Sequence, residues 1–378
     1  MSRSAGCIQP VKVNARTCQN LSGLKITSMN VDIIEAAALQ FGHGKPLVSS
    51  LGNGLIHHTY KVAFTGEGNS SPIVLQNINR HMFKHPENII YNYRLVYDVI
   101  GTGNGLHIAP LIPTHDGKWY WVDEQQLFWR ATGFIADSYT QTIPNTAAEV
   151  YKTAQCFGHF TRSLNSIDTT KLKVIIPHFH DLALRYAQFE QAVSEAAISR
   201  LLKSTHVIAE LRQRRKLVDF YEFIQQHPAD YHTRVMHHDC KLSNILLDTT
   251  THQALCPVDL DTIMPGLFFS DVGDMIRSMS ATQDENSTQW EDIAINADFY
   301  KAIIAGYLEG IGDNFTPAEK KHIHQAGLMM VYMQSLRFVT DFLNNDVYYK
   351  IDYPEQNLNR ALNQLILLEK LEEFVAEL

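Results

Sequence analysis

The sequence predicts an α+β protein in which a small antiparallel β-rich lobe precedes a larger, mainly helical lobe. Three observations carry this. Short runs of β-branched and aromatic residues, separated by turn signals, fill the first third of the chain. Beyond Pro144 the apolar spacing changes to the period of amphipathic helices. A polar loop with an acid and an asparagine, His237 to Asn244, then interrupts the helical half.

Taken in order, residues 31–41 have helical spacing. Residues 47–51 and 59–64 read as two strands joined by Gly52-Asn53-Gly54, and 73–78 as a third. In 86–100, Ile89, Ile90, Tyr93, Val96, Tyr97 and Ile100 fall on one side of a helix. Residues 107–113 and 119–122 flank Asp116-Gly117, a hairpin turn signal, and 127–135 reads as a last strand. In the second half, 147–164 is periodic. The stretch 189–226 is long and amphipathic, enough for two helices. Thr316-Pro317-Ala318-Glu319 is a capping box with Pro at the first helical position, predicting a helix through 343, and 355–378 closes the chain as another. We place a mobile N-terminal extension at 1–28, a nucleotide-binding lobe at 29–135, and a catalytic and substrate-binding lobe at 136–378.

The composition supports packed lobes. Of 378 residues, 45% are hydrophobic and 19% charged, which argues against wholesale disorder. The net charge of -8 argues against nucleic acid as a partner, because phosphate backbones recruit basic surfaces. Apolar runs are too short to span a bilayer. The five cysteines are odd in number and scattered, as expected of a reduced, cytoplasmic protein. The first residues lack the apolar stretch of a signal peptide, and Met29 stands just before the first helical pattern.

The chemistry is concentrated in His237-His238-Asp239-Cys240-Lys241-Leu242-Ser243-Asn244 and in Val258-Asp259-Leu260-Asp261. Phosphoryl transfer needs a carboxylate that orients the attacking hydroxyl. It also needs oxygen ligands that hold Mg²⁺ on the nucleotide phosphates. Asp239 is the candidate base, with Asn244 and Asp259 as metal ligands. Asp261, two residues on, is a further acid that could join them. His237 reads as loop support. Asp271, in Asp271-Val272-Gly273-Asp274, suits a helix N-terminus and could brace the loop. Gly52, Asn53 and Gly54 can form a turn whose amides approach phosphate.

These stretches resemble the aminoglycoside phosphotransferase and choline kinase superfamily, which shares the protein-kinase-like bilobal fold, and most closely its N-acetylhexosamine 1-kinase branch. The similarity extends to Leu51-Gly52-Asn53-Gly54-Leu55-Ile56, Ile176-Pro177-His178-Phe179-His180-Asp181, and the segment from Arg337 through Asp341 to Tyr348 and Tyr349. It implies transfer of the ATP γ-phosphate to the anomeric hydroxyl of an N-acetylated hexosamine. By the same resemblance Arg337, Asp341, Tyr348, His180 and Asp181 are sugar-contacting candidates. Arg337 and Asp341 share a helix face at i and i+4. The sequence departs from many kinases at Gln76, which stands where a strand lysine usually meets the phosphates. Tyr91 and Asn92 occupy the place of that lysine's helical glutamate, with Glu87 one turn earlier. Lys61 and Lys241 are alternative cations.

Other acceptors (an aminoglycoside, choline or homoserine) suit the same motif, and Gln76 admits a non-catalytic kinase-fold binding protein. A metallohydrolase is disfavoured: the 18 histidines contain no H-E-x-x-H and no clustered ligand spacing.

Overall fold

The change of period near Pro144 becomes a change of architecture. The structure, a computed structural model, describes residues 31–52, 56–101 and 106–378. The 1–28 extension, Asn53 and Gly54 lie outside the described residues. The first lobe runs α1 (Val31–Ala38), β1 (Lys45–Ser50), β2 (His58–Thr65), β3 (Ile73–Ile78), α2 (Pro86–Ile100), β4 (Leu111–Ile112), β5 (Trp121–Val122) and β6 (Phe128–Gly133). The strands form an antiparallel sheet of order β1-β2-β3-β6-β4, with β5 also on β6.

Alternation along β2 and β3 sends Val62, Phe64, Ile73 and Leu75 to one face, where they meet Trp129, Ala131 and the buried side of α1. Helix α2 turns Ile89, Tyr93, Val96 and Ile100 the other way, into the core of the larger lobe. Helix α2 is therefore packed against the larger lobe.

The hairpin expected around Asp116-Gly117 is only half right. The turn forms, with Gly117 at φ 78 and its amide bonded to Thr114 O. Its flanking strands, however, do not pair with each other. Leu111 and Ile112 lie opposite Thr132 and Ala131, and Trp121 and Val122 opposite Trp129 and Phe128. The chain leaves the edge of β6, loops out and rejoins the same edge.

The second lobe continues β7 (Ser138–Tyr139), α3 (Ala147–Ser163), α4 (Leu182–Glu195), α5 (Ile198–Gln213), α6 (Lys216–Gln226), β8 (Arg234–Met236), β9 (Ile245–Asp248), β10 (Ala254–Pro257), β11 (Met264–Gly266), α7 (Phe269–Met279), α8 (Ala297–Ile311), α9 (Pro317–Lys321), α10 (Ile323–Leu343) and α11 (Gln356–Ala376). The stretch expected as two helices from 189 is three helices from Leu182. Asp181 caps the first by accepting from Leu184 N. The capping box forms as expected, with Thr316 and Glu319 bonding reciprocally. The helix it opens breaks at His322 before α10 continues. Helices α3 and α8 pack closely because Gly306 and Gly310 lack a Cβ that would strike Tyr151 O and Gln155 O. Strands β9 and β10 form a hairpin on this layer, and β8 pairs with β11. The His237 to Asn244 stretch singled out in the sequence occupies the turn between β8 and β9.

Candidate active site

The loop after β8 is held from below. Asp271, in the first turn of α7, is fully buried and accepts from the amides of His237 at 3.0 Å and His238 at 2.8 Å. A buried carboxylate needs such donors, and here it fixes the backbone at His238, whose φ is 67. His237 Nε2 donates to Val258 O at 2.9 Å, while its Nδ1 accepts from Asp239 N at 3.3 Å. Thr262 Oγ1 donates to His237 O at 2.6 Å. His237 thus ties the Asp239 loop to the strand end that carries Asp259.

Asp239 Oδ2 accepts from Lys241 Nζ at 2.9 Å and from Asn244 Nδ2 at 2.7 Å. The same Nδ2 donates to Asp239 O at 2.9 Å. Both of those partners are acceptors, so the amide of Asn244 must face them and its Oδ1 must point away. That leaves the Oδ1 of a buried side chain free of both of these contacts.

Asp259 lies in a cleft yet stays open to solvent, in a left-handed conformation (φ 58) that starts the short 3-10 turn Leu260–Thr262. The crowding of protein around it, then Asp261 and Asp239, raise its pKa above the usual carboxylate range; its solvent access tempers the rise. A cation beside it would relieve that repulsion. Among the described residues no group of three or more His, Cys, Asp or Glu is arranged to hold a metal. A metal here would draw on Asn244, Asp259, phosphate oxygens and water, the mix that Mg²⁺ accepts.

On the nucleotide side, Gly52 has φ 69 and open space around its Cα. Gln76 does not face an open phosphate site. Its Oε1 accepts from Arg130 Nε at 3.0 Å and Nη2 at 2.8 Å, and its Nε2 donates to Thr59. Arg130 reaches Asp261, which also meets His57. Asp261 is thereby drawn toward the sheet rather than toward the metal position, and its pKa falls to about 2: burial opposes ionisation, but Arg130 and His57 outweigh it. Lys61 sits over the Phe134 ring at 3.9 Å. In place of a helical glutamate, Asn92 on α2 is buried and donates to Ile263 O and Lys173 O, both at 2.8 Å. Glu87 is at the surface beside His85.

The acceptor candidates separate into two groups. Asp341 is buried and saturated: it accepts from the amides of Val347 (3.0 Å), Tyr348 (2.8 Å) and Tyr349 (2.9 Å) and from Asn357 Nδ2 (2.9 Å). It shapes the loop after α10 and has no oxygen left for a sugar. Asp181 is likewise committed, to capping α4 and to His178. Arg337 stands between aromatic rings, 5.9 Å from Phe179 and 5.5 Å from Tyr349. Tyr348 is 60% exposed next to it. His180 bonds Ser270, as does His238 at 2.6 Å, and lines a cavity of about 530 Å³ with Asp181, Tyr221 and Pro265. Arg337 and Tyr348 are outside that lining.

Burial, then His238 and the guanidiniums of Arg337, Arg277 and Arg185, hold His180 well below the usual histidine pKa. Arg277 pairs with Asp274 at 2.9 Å and Glu285 at 3.1 Å, close enough to Asp239 to feel its charge. Asp274, in the Asp271-Val272-Gly273-Asp274 stretch that suits a helix N-terminus, is held by Arg277 instead. Its pairing with Arg277, at i and i+3, was the available signal. Arg130 carried none.

An antiparallel β-rich lobe joined to a larger helical lobe, with Asp239, Asn244 and Asp259 on loops of the larger lobe, is a kinase-like bilobal fold. The sequence model of the phosphotransferase enzyme family matches residues 96–318, and the chain belongs to that family. Among solved structures it is similar to a microcompartment-associated aminopropanol kinase (13% identity, TM-score 0.61, covering 92% of this chain and 98% of that one). It is also similar to an aminoglycoside phosphotransferase from Alicyclobacillus acidocaldarius (15%, 0.60, 91% and 96%) and to a choline kinase from Cryptosporidium parvum (15%, 0.54, 92% and 97%). These likenesses support the bilobal fold.

Proposed function

We propose that the chain transfers the γ-phosphate of ATP to a hydroxyl of an uncharged sugar, with the anomeric hydroxyl of an N-acetylhexosamine as the acceptor the motif resemblance favours. Residues 29–135 serve as the nucleotide-binding lobe and 136–378 as the catalytic and acceptor-binding lobe. The observation that carries the acceptor class is charge. Arg337 and Arg185 act on His180 and neither has a carboxylate within 4 Å among the described residues, Arg277 is neutralised by Asp274 and Glu285, and Asp181 and Asp341 are bonded to protein groups. A quaternary ammonium or polyamine would meet guanidiniums there, whereas sugar hydroxyls would find directional donors.

In this reading Asp239 uses its Oδ1 to orient the acceptor hydroxyl, since Oδ2 is held by Lys241 and Asn244. Asn244 Oδ1 and Asp259 hold Mg²⁺, which neutralises charge on the phosphates when bound. Lys241, 42% exposed beside Asp239, is placed to move from the carboxylate to the transferring phosphoryl oxygens. Gly52, Asn53 and Gly54 contact the nucleotide phosphates. Arg337, Tyr348 and His180 meet the acceptor. The reading calls for neither nucleic acid nor membrane; no helix among the described residues is long and apolar enough to cross one. It sets the protein in the cytoplasm, where ATP is supplied.

The test is an acceptor panel of free hexosamines, N-acetylhexosamines, polyols, choline and aminoglycosides with ATP and Mg²⁺, read by ³¹P NMR. An anomeric sugar phosphate as the dominant product supports the reading. Preference for choline or an aminoglycoside overturns the acceptor class. Tight ligand binding without turnover of any acceptor would favour a non-catalytic protein.

A further inference from the structure

Five side chains, from three strands, the residue before β2 and the Asp259 loop, form a chain of contacts between the lobes. Arg130 on β6 is 2% exposed, as is Asp261, and His57 is 7% exposed. Gln76 Oε1 on β3 takes two guanidinium donors, Nε and Nη2 of Arg130. Arg130 Nη1 lies 2.5 Å from Asp261 Oδ1, and His57 Nε2 lies 2.8 Å from Asp261 Oδ2. His57 Nδ1 accepts from Asn79 N at 3.1 Å, just past the end of β3, so the ring nitrogen facing Asp261 carries the proton. Gln76 Nε2 donates to Thr59 of β2. The Asp261 contacts are short but off the hydrogen-bond axis; charge holds the one to Arg130, while neutral His57 offers Asp261 its Nε2–H dipole.

We propose that Arg130, supported by Gln76, is a positioning residue that anchors the Asp259 loop to the nucleotide-side sheet through Asp261, and that this bridge replaces the missing strand lysine. The Gln76 side chain is then a brace for a cation and not a phosphate contact. A lone buried guanidinium or carboxylate here would be costly, and each exists because the other does. The bridge sets the left-handed turn at Asp259, two residues from Asp261, and also fixes His57, which follows the covering loop. It couples the two sides of the cleft. This inference rests on the kinase reading for its functional readout, though not for its geometry.

Gln76→Glu and Gln76→Lys separate the possibilities. A brace needs an acceptor, so Gln76→Glu keeps apparent MgATP KM within about twofold of the parent, while Gln76→Lys sets a cation against Arg130. Gln76→Lys raises the MgATP KM and the Mg²⁺ requirement by about tenfold, a loss of the size expected when one charged contact is broken. The acceptor KM stays unchanged in both. A phosphate contact predicts the reverse order: lysine binds MgATP as well or better and glutamate repels it. That order, or equal KM values in both variants, overturns the proposal. Melting temperatures give a second reading that needs no turnover: Gln76→Glu retains the parent value and Gln76→Lys lowers it. If the parent protein neither binds nucleotide nor transfers phosphate, the kinase reading fails, and the melting order alone upholds or overturns the bridge.

Discussion

Replacing Asp341 with asparagine separates a loop brace from a sugar contact. One carboxylate accepts four hydrogen bonds, three from consecutive amides of Val347, Tyr348 and Tyr349 and one from Asn357. Asparagine keeps the shape but turns one oxygen into a donor. Two of the four contacts are lost, and N–H groups then face N–H groups. A hydrogen bond to a charged group contributes about 1.5–3 kcal/mol, and an orphaned donor costs about 1–3 kcal/mol. The direct loss is thus about 3–5 kcal/mol if the loop stays in place. Val347 and Tyr348 are at the surface, so the loop can swing into water and recover part of it, leaving about 2 kcal/mol. Urea denaturation should show that loss, and hydrogen exchange should accelerate at 347–349. Because Tyr349 flanks Arg337, the acceptor KM should rise while the KM for ATP does not. Unchanged stability and exchange, with a raised acceptor KM, would refute the brace and return Asp341 to the sugar.

Three further outcomes follow from the same physics. Glu319 is fully buried, meets Arg234 through both oxygens at 2.6 and 2.8 Å, and closes the capping box; Glu319→Ala strands a buried guanidinium and should cost about 3–5 kcal/mol in chemical denaturation. The pKa of Asp259 is raised, so its charge opposes the folded state; Asp259→Asn should leave the melting temperature unchanged or higher while raising the Mg²⁺ concentration for half-maximal transfer. His180 and His238 are both held below the usual histidine pKa by burial, so the unfolded chain takes up more protons below about pH 6.5. Stability should therefore fall as pH drops from there toward their folded values, and His180→Gln should flatten the melting temperature between pH 7 and 5.

Local signals were legible in the sequence and distant pairings were not. Strand Ile73–Ile78 and helix Pro86–Ile100 have the expected bounds because β alternation and a proline-led helical stripe are written within a few residues. The His237 to Asn244 loop is local in the same way: His237, Asp239 and Asn244 bond to one another within a few residues. The three helices from Leu182 to Gln226 blurred together because their breaks, at Ala196 and Ala197 and at Arg214 and Arg215, contain no glycine or proline. The partner of Arg130 is remote in sequence, and no period or motif links it to Asp261. Asp341 looked like a cleft residue because helical spacing gives the face of a side chain but not what the following loop folds back to meet.

The most direct measurement is phosphoryl transfer by Asp239→Asn with MgATP binding measured on the same preparation. If Asp239 orients the attacking hydroxyl, transfer falls by about 10²–10⁴-fold, the range for loss of a general base, while MgATP affinity stays close to that of the parent protein. Transfer retained at the parent rate, or lost only in step with nucleotide binding, would contradict the assignment of this loop as the catalytic one.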